Sequence, residues 1–363
     1  MQLTTNKRNF TMGPVMMADP IKDIGAWDVL YFRTREFSGL MAENERLLRE
    51  MFFADGSTRV VSLTGSGTAG MEAAVMNTLG MDDKVLLVNG GGFGERFVQI
   101  CRRHRIPYEE LCKQQGSGIT PSDLEKYEGK GFTAFIVNHH ETTSGVLYDL
   151  ELIGNYCKRN NCFFVVDAIS SFLADDLRME EWGINVVVTG SQKAFAVPPG
   201  LSLIALDGKA VERVKQKECR SFYFDFKAYL KDGERGQTPF TPAVGILMQL
   251  NRRLNTIAAT GIEKEKERVT ELASHFREGI KNLPLTIASD SLSNAMTPLF
   301  VDTGTDAYEI FEILEDRYGI WVCPSGGELR KRMLRVGHIG DLTVEDNNVL
   351  IRALEDIFKK GAF

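Results

Sequence analysis

Lys193 stands in the run Thr189-Gly190-Ser191-Gln192-Lys193, directly past an apolar stretch with the look of a buried strand. A lysine there is off any solvated helix face, and desolvation favours its neutral amine, a nucleophile toward an aldehyde carbon. Asp167 ends an earlier stretch of continuous apolar residues, at the carboxyl edge where open α/β sheets bind ligands. A buried carboxylate is costly without a cation, and a protonated pyridine nitrogen is one that it could hold. Such a pair would make the ring an electron sink, with the lysine beside it as base.

Upstream, residues 65–70 read GSGTAG between a strand and a helix. Glycines let backbone approach an anion, the first N–H groups of the helix point at it, and Ser66 and Thr68 add hydroxyl donors. Gly65, Gly67 and Gly70 also satisfy the dinucleotide-binding spacing GxGxxG. That motif wants an acid ending the next strand, where this chain has Asn89 followed by Gly90, Gly91 and Gly92. Alone, the loop leaves a plain turn and two phosphate readings open; the Asp167–Lys193 constellation favours a phosphate-bearing pyridine.

The elements that must position these residues form an alternating series. Strands are expected at 59–63, 84–88, 106–111, 133–137, 162–166, 185–189 and 201–206, with helices at 69–79, 94–104, 122–127 and 150–159. Strand and helix taking turns predict an α/β fold with a mostly parallel seven-stranded sheet covered on both faces. The proline-rich stretch 237–242 breaks the rhythm. Two helices follow, then strand 295–302, helix 307–318, strand 333–336 and helix 344–358, a smaller C-terminal α+β domain. The expected division is an N-terminal arm at 1–20, a large domain at 21–258 and a small domain at 259–363.

Composition narrows the function classes. The 363 residues are 43% hydrophobic and 25% charged, with a net charge of −6, which gives no electrostatic reason to expect nucleic acid or an anionic membrane. No window approaches the ~20 apolar residues of a membrane helix, and the first residues lack a secretory core. Six scattered cysteines without CxxC pairs read as reduced thiols of a cytoplasmic protein. His139 and His140 are adjacent, so a strand would turn them to opposite faces; no metal site is expected.

The segment from Thr189 to Gly200, TGSQKAFAVPPG, and VDAISS from Val166 to Ser171 resemble class V aminotransferases of pyridoxal-phosphate (PLP) fold type I. That group includes alanine– or serine–glyoxylate and 2-aminoethylphosphonate–pyruvate transaminases. The similarity runs from GPVMM at Gly13 to RVGHIG at Arg335. It implies PLP held by Lys193 as a Schiff base, Asp167 on the ring nitrogen, and Ser66, Gly67, Thr68 and Gln192 around the phosphate. Phe93 matches the aromatic stacked on the ring, Ile169 the apolar residue under it, and Thr143 the hydroxyl near the ring oxygen. Arg335 resembles the arginine that grips the substrate carboxylate. Thr238 or Thr241, in QTPFTP, sits where the family sends a phosphate ligand across a homodimer interface.

The implied activity is ping-pong transfer of an amino group from a small amino acid or amine to a 2-oxo acid, pyruvate or glyoxylate. HHETTSG resembles the 2-aminoethylphosphonate enzymes, making their reaction the alternative. The family's His-Arg-Ser-like motif appears here as Phe32-Arg33-Thr34, with Arg35 following. A PLP lyase of the cysteine desulfurase type would need a catalytic thiol, for which Cys323 is the candidate. A nicotinamide-dependent dehydrogenase fits poorly with Asn89, and a PLP-binding regulator would need a DNA-binding domain for which the chain has no spare segment.

Overall fold

Seven short runs, all but the edge strand YEELC rich in Val, Ile, Leu or Phe, form one sheet in the computed structural model, which describes residues 7–360. They are β1 (Arg59–Thr64), β2 (Val85–Asn89), β3 (Tyr108–Cys112), β4 (Ala134–Asn138), β5 (Phe163–Asp167), β6 (Val186–Gly190) and β7 (Leu201–Leu206). Their order is β1-β7-β6-β5-β4-β2-β3. Neighbours from β6 to β3 are parallel, and β7 is antiparallel to both β1 and β6. Every residue of β4 to β7 is buried, as expected of strands covered on both faces. Alternate residues serve two apolar clusters: Leu86, Val137 and Val166 face one, Leu87, Ile136 and Val165 the other.

Helices cover both faces. Chief among them are α1 (Arg35–Met51), α2 (Gly67–Thr78), α3 (Gly92–His104), α4 (Leu150–Asn160) and α5 (Val244–Thr260). Thr34 caps α1 by accepting from Phe37 N at 3.2 Å, and Asp149 caps α4 by accepting from Leu152 N at 2.9 Å. Helix α2 lies so close to the sheet that a Cβ on Gly70 would fall 2.9 Å from Val188 Cγ1 and overlap the Ser202 hydroxyl. Glycine at 70 is therefore a packing requirement as well as part of the loop motif.

Past α5, helices α6 (Ile262–Gly279) and α7 (Ala307–Tyr318) pack against a second sheet of β8 (Leu285–Ile287), β9 (Met296–Val301), β10 (Cys323–Pro324) and β11 (Met333–Gly337), and α8 (Val344–Lys360) packs on α6 and α7. Its order is β8-β9-β11-β10, all antiparallel. Phe276, Leu314, Leu334 and Leu354 share its core, and Phe10 joins them from the chain's beginning. Arg8–Asn9 pairs in parallel with Ile320–Trp321, so the N-terminal segment is fastened to this smaller unit. Residues 1–6 of the expected arm and 361–363 of the expected small domain lie outside the described residues.

All seven expected strands of the large sheet are present, displaced by at most two residues at either end. Helix α2 begins at Gly67 rather than 69, because the first helical residues need no partner for their N–H groups and glycines can occupy them. Short edge strands such as β8 and β10 carry too little periodicity to be read from sequence. Among the described residues no helix is long and apolar enough to cross a membrane.

Candidate active site

The carboxyl ends of the parallel strands bring the expected residues to one edge of the large sheet. Asn138 and Asp167 are register partners at the ends of β4 and β5, and Gly190 ends β6 three residues before Lys193. On the opposite side, β11 of the smaller unit contributes Arg335, and the N-terminal residues Met12 and Gly13 close over the lysine.

Asp167 is 5% exposed and its Oδ1 accepts from Ile169 N at 2.8 Å. Burial pushes its carboxyl up to about 7, against the pull of the Ile169 N–H and the charges of Arg96 and Lys193. No cation pairs with it directly among the described residues, so a pyridinium nitrogen would supply the partner it lacks. Burial moves Lys193 the other way, down to about 8; Cys323 and Asp167 oppose that shift, and Arg335 and Arg96 reinforce it. Its Nζ donates to the carbonyl oxygen of Met12. Gly13 passes so close that a Cβ would sit 2.8 Å from Gln192 O and 3.0 Å from Lys193 Cδ, with φ at +119°. The GPVMM segment thus has a physical role: glycine allows the chain to lie against the lysine stem.

Residues 65–70 form the turn into α2 and its first residues. Ser66 precedes α2 with no side-chain cap bond, leaving the first N–H groups of the helix free for an anion. A Cβ on Gly67 would fall 2.5 Å from Ile169 Cδ1, so the loop and the residue two past Asp167 are in contact. Thr68 Oγ1 accepts from Arg96 Nη1 at 2.9 Å, and the same guanidinium lies 4.6 Å over the Phe93 ring. Gln192 Oε1 is buried without a partner. A carboxyl without a cation, a desolvated amine and a bare helix start in one place fit the ring nitrogen, aldehyde and phosphate of PLP.

Arg335 is locked by donating from Nη1 to Thr142 O and from Nη2 to Pro324 O, both at 2.8 Å, while its buried Nε has no partner. Thr143 Oγ1 accepts from Gly92 N at 3.1 Å; the hydroxyl of buried Thr142 beside it makes no hydrogen bond within the described residues. The two threonines of QTPFTP differ. Thr238 is buried and donates to Phe240 O at 2.8 Å, whereas Thr241 is exposed. His139 and His140 are both buried and pushed down to about 3 by burial, hence neutral.

Two residues of the site, Arg96 and Glu141, are missed by reading the sequence alone. Arg96 follows Phe93 by three residues on a helix, a spacing that places both on one face and could have flagged it. Glu141, inside HHETTSG, is fully buried and hydrogen-bonds both α3 and the threonine turn. An acid amid residues destined for burial was its only signal.

Residues 30–330 match the family model described as Aminotransferase class-V. The chain is 32% identical to the soluble hydrogenase small subunit of Synechococcus sp., over 90% of this chain and 86% of that one. It is 30% identical to the L-aspartate–glyoxylate aminotransferase of Paracoccus denitrificans, over 78% and 74%. Among solved structures, ureidoglycine–glyoxylate aminotransferase from Bacillus subtilis superposes with a TM-score of 0.94 at 24% identity, covering 100% of this chain and 95% of that one. Fold, cofactor-shaped chemistry and the family match agree: this chain belongs to the class V aminotransferase family and is a pyridoxal-phosphate-dependent transaminase of fold type I.

Proposed function

We propose that this transaminase moves the amino group of a small amino acid or amine onto a 2-oxo acid, pyruvate or glyoxylate, as a cytoplasmic homodimer. The observation that carries the reading is the convergence of Lys193 and Arg335: a half-buried amine lowered to about 8, near a guanidinium fixed by two backbone carbonyls. The Paracoccus relative and the Bacillus structure, both named for glyoxylate, support the acceptor class.

In this reading a large unit spanning 21–258 holds the cofactor and the remainder carries Arg335. Bound PLP supplies an electron sink conjugated to the reacting carbon. Ser66, Gly67, Thr68 and Gln192 would hold its phosphate, Phe93 and Ile169 would flank its ring, Thr143 would serve the ring oxygen, and Asp167 would keep the ring nitrogen protonated. Arg335 grips the substrate carboxylate and so aims the α-hydrogen at Lys193. Lys193 Nζ takes that proton as general base and returns it on the other side of the transfer, its lowered affinity for protons suiting both roles. Exposed Thr241, rather than Thr238 with its hydroxyl engaged inside the protomer, reaches the phosphate of the second subunit.

The test is to mix the purified holoenzyme with single donors, 2-aminoethylphosphonate among them, and pyruvate or glyoxylate, and to identify products by mass spectrometry. Alanine or glycine formed with a matched oxo product supports the reading. Sulfide released from cysteine, without amino transfer, would sink it. Cys323 does reach the site, but it is held in β10 opposite Arg335 rather than on a loop free to travel.

A further inference from the structure

Glu141 is 0% exposed, and among the described residues its carboxylate has no ion-pair partner. A buried charge of that kind is tolerated only where N–H donors replace its water. Oε2 accepts from Phe93 N at 3.0 Å, Gly94 N at 3.0 Å and Asn138 Nδ2 at 3.1 Å; Oε1 accepts from Thr143 N at 3.0 Å. Two of these donors are the opening N–H groups of α3, where the helix dipole also favours an anion.

The four donors come from three separate pieces of chain: the start of α3, which carries Phe93; the end of β4 beside Asp167; and the turn that holds Thr142 and Thr143. The same turn offers Thr142 O to Arg335. Gly92 N, donating to Thr143 Oγ1 at 3.1 Å, adds a second tie between helix start and turn. The glycine triplet gains a reason as well. A Cβ on Gly91 would fall 2.6 Å from Glu141 Cδ and 2.9 Å from Oε1, so only glycine leaves the carboxylate its place.

We infer that Glu141 is a positioning residue whose carboxylate sets the spacing between the Phe93 ring and the Thr142–Thr143 turn, and thereby the shape of the cofactor cradle. It touches neither substrate nor reacting atoms. A phenylalanine cannot anchor itself by a polar ring atom, so its backbone N–H is the available handle, and Glu141 holds it. The negative charge near Asp167 acts in the same direction as burial, raising the carboxyl that must pair with the ring nitrogen. The inference rests on the PLP reading of the site.

Glu141→Gln keeps the shape but replaces one oxygen by an NH2 that meets N–H donors head-on. Gly91→Ala leaves Glu141 in place and displaces its carboxylate; the backbone there, at φ 169°, accepts any residue. Both apoproteins are titrated calorimetrically with PLP and melted without it. Expected are apo melts that remain cooperative and a cofactor affinity lowered about tenfold or more, the loss of one or two buried charge-assisted bonds. At saturating cofactor the donor KM rises through the Thr142–Arg335 link more than kcat falls. Affinity within twofold of wild type in a folded Glu141→Gln overturns the inference, as does a lowered melt with unchanged affinity, which assigns Glu141 to folding alone. Should Glu141→Gln fail to fold, Gly91→Ala decides by the same criteria. Wild-type protein that binds no PLP would instead refute the reading beneath it.

Discussion

The Nζ of Lys193 donates to the main-chain oxygen of Met12, 181 residues earlier in the sequence, and Met12 N in turn donates to Cys323 Sγ at 3.1 Å. One residue of the N-terminal segment thus joins the lysine loop of the large sheet to strand β10 of the small one. The amine that bonds this carbonyl oxygen is largely desolvated.

Lys193 is expected to behave as an amine that loses its proton near pH 8 rather than 10.5. In the apoprotein, acylation by trace acetic anhydride, read by peptide mass spectrometry, should rise with half-maximum near pH 8, well below the ordinary lysine value. The sign follows from burial, which penalises the charged form, so the neutral nucleophile is present from that pH upward. Lys193→Ala should abolish turnover; full activity in that variant would refute the central assignment.

Asp167 gives an opposite dependence. Its carboxyl is raised from 3.8 to about 7, so between those values the folded apoprotein holds a proton that the unfolded chain releases. Stability therefore falls as pH rises through that window, by up to about 1.4 kcal/mol for each pH unit crossed. Asp167→Asn should melt above wild type at pH 7 in the apo form, with the difference closing toward pH 4. With PLP present the same variant should be nearly inactive. Equal pH dependence of the two apoproteins would contradict this account.

Arg335→Gln should raise the KM for carboxylate donors and lower kcat/KM about a hundredfold, the cost of losing a bidentate charge-assisted pair. Cofactor affinity should change little, because in the proposed role the guanidinium held by Thr142 O and Pro324 O meets the substrate carboxylate and not the cofactor. An unchanged KM would move carboxylate recognition elsewhere.

Thr241→Ala should weaken PLP binding roughly tenfold, one hydrogen bond to a charged group, with the melt of the apoprotein unaffected. Thr238→Ala removes a buried bond to Phe240 O and should lower stability by about 1 kcal/mol instead. Calorimetry and thermal melts on the two variants separate these outcomes, and reversed results would exchange the two roles.

The sequence alone determined the strands of the large sheet. Short apolar runs in β4 to β7, bounded by turn residues, read as strands buried on both faces, and a polar residue ending such a run, as Asp167 does, falls at the sheet edge. Local pattern carries that much because pleat, helix start and glycine turn depend on neighbouring residues. What the tertiary structure decided was every relation across long separations. Glu141 became a cradle residue only when β4, α3 and the threonine turn met around it, and Arg96 only when Thr68 came within reach. In QTPFTP, only the fold shows that the Thr238 hydroxyl already donates to Phe240 O while Thr241 is exposed. Met12 and Gly13 lie against Lys193 because Arg8–Asn9 pairs with Ile320–Trp321, a contact of two short segments with no periodicity to announce it. Hydrogen bonds between distant backbone groups leave almost no trace in residue type, so only the folded chain reveals them.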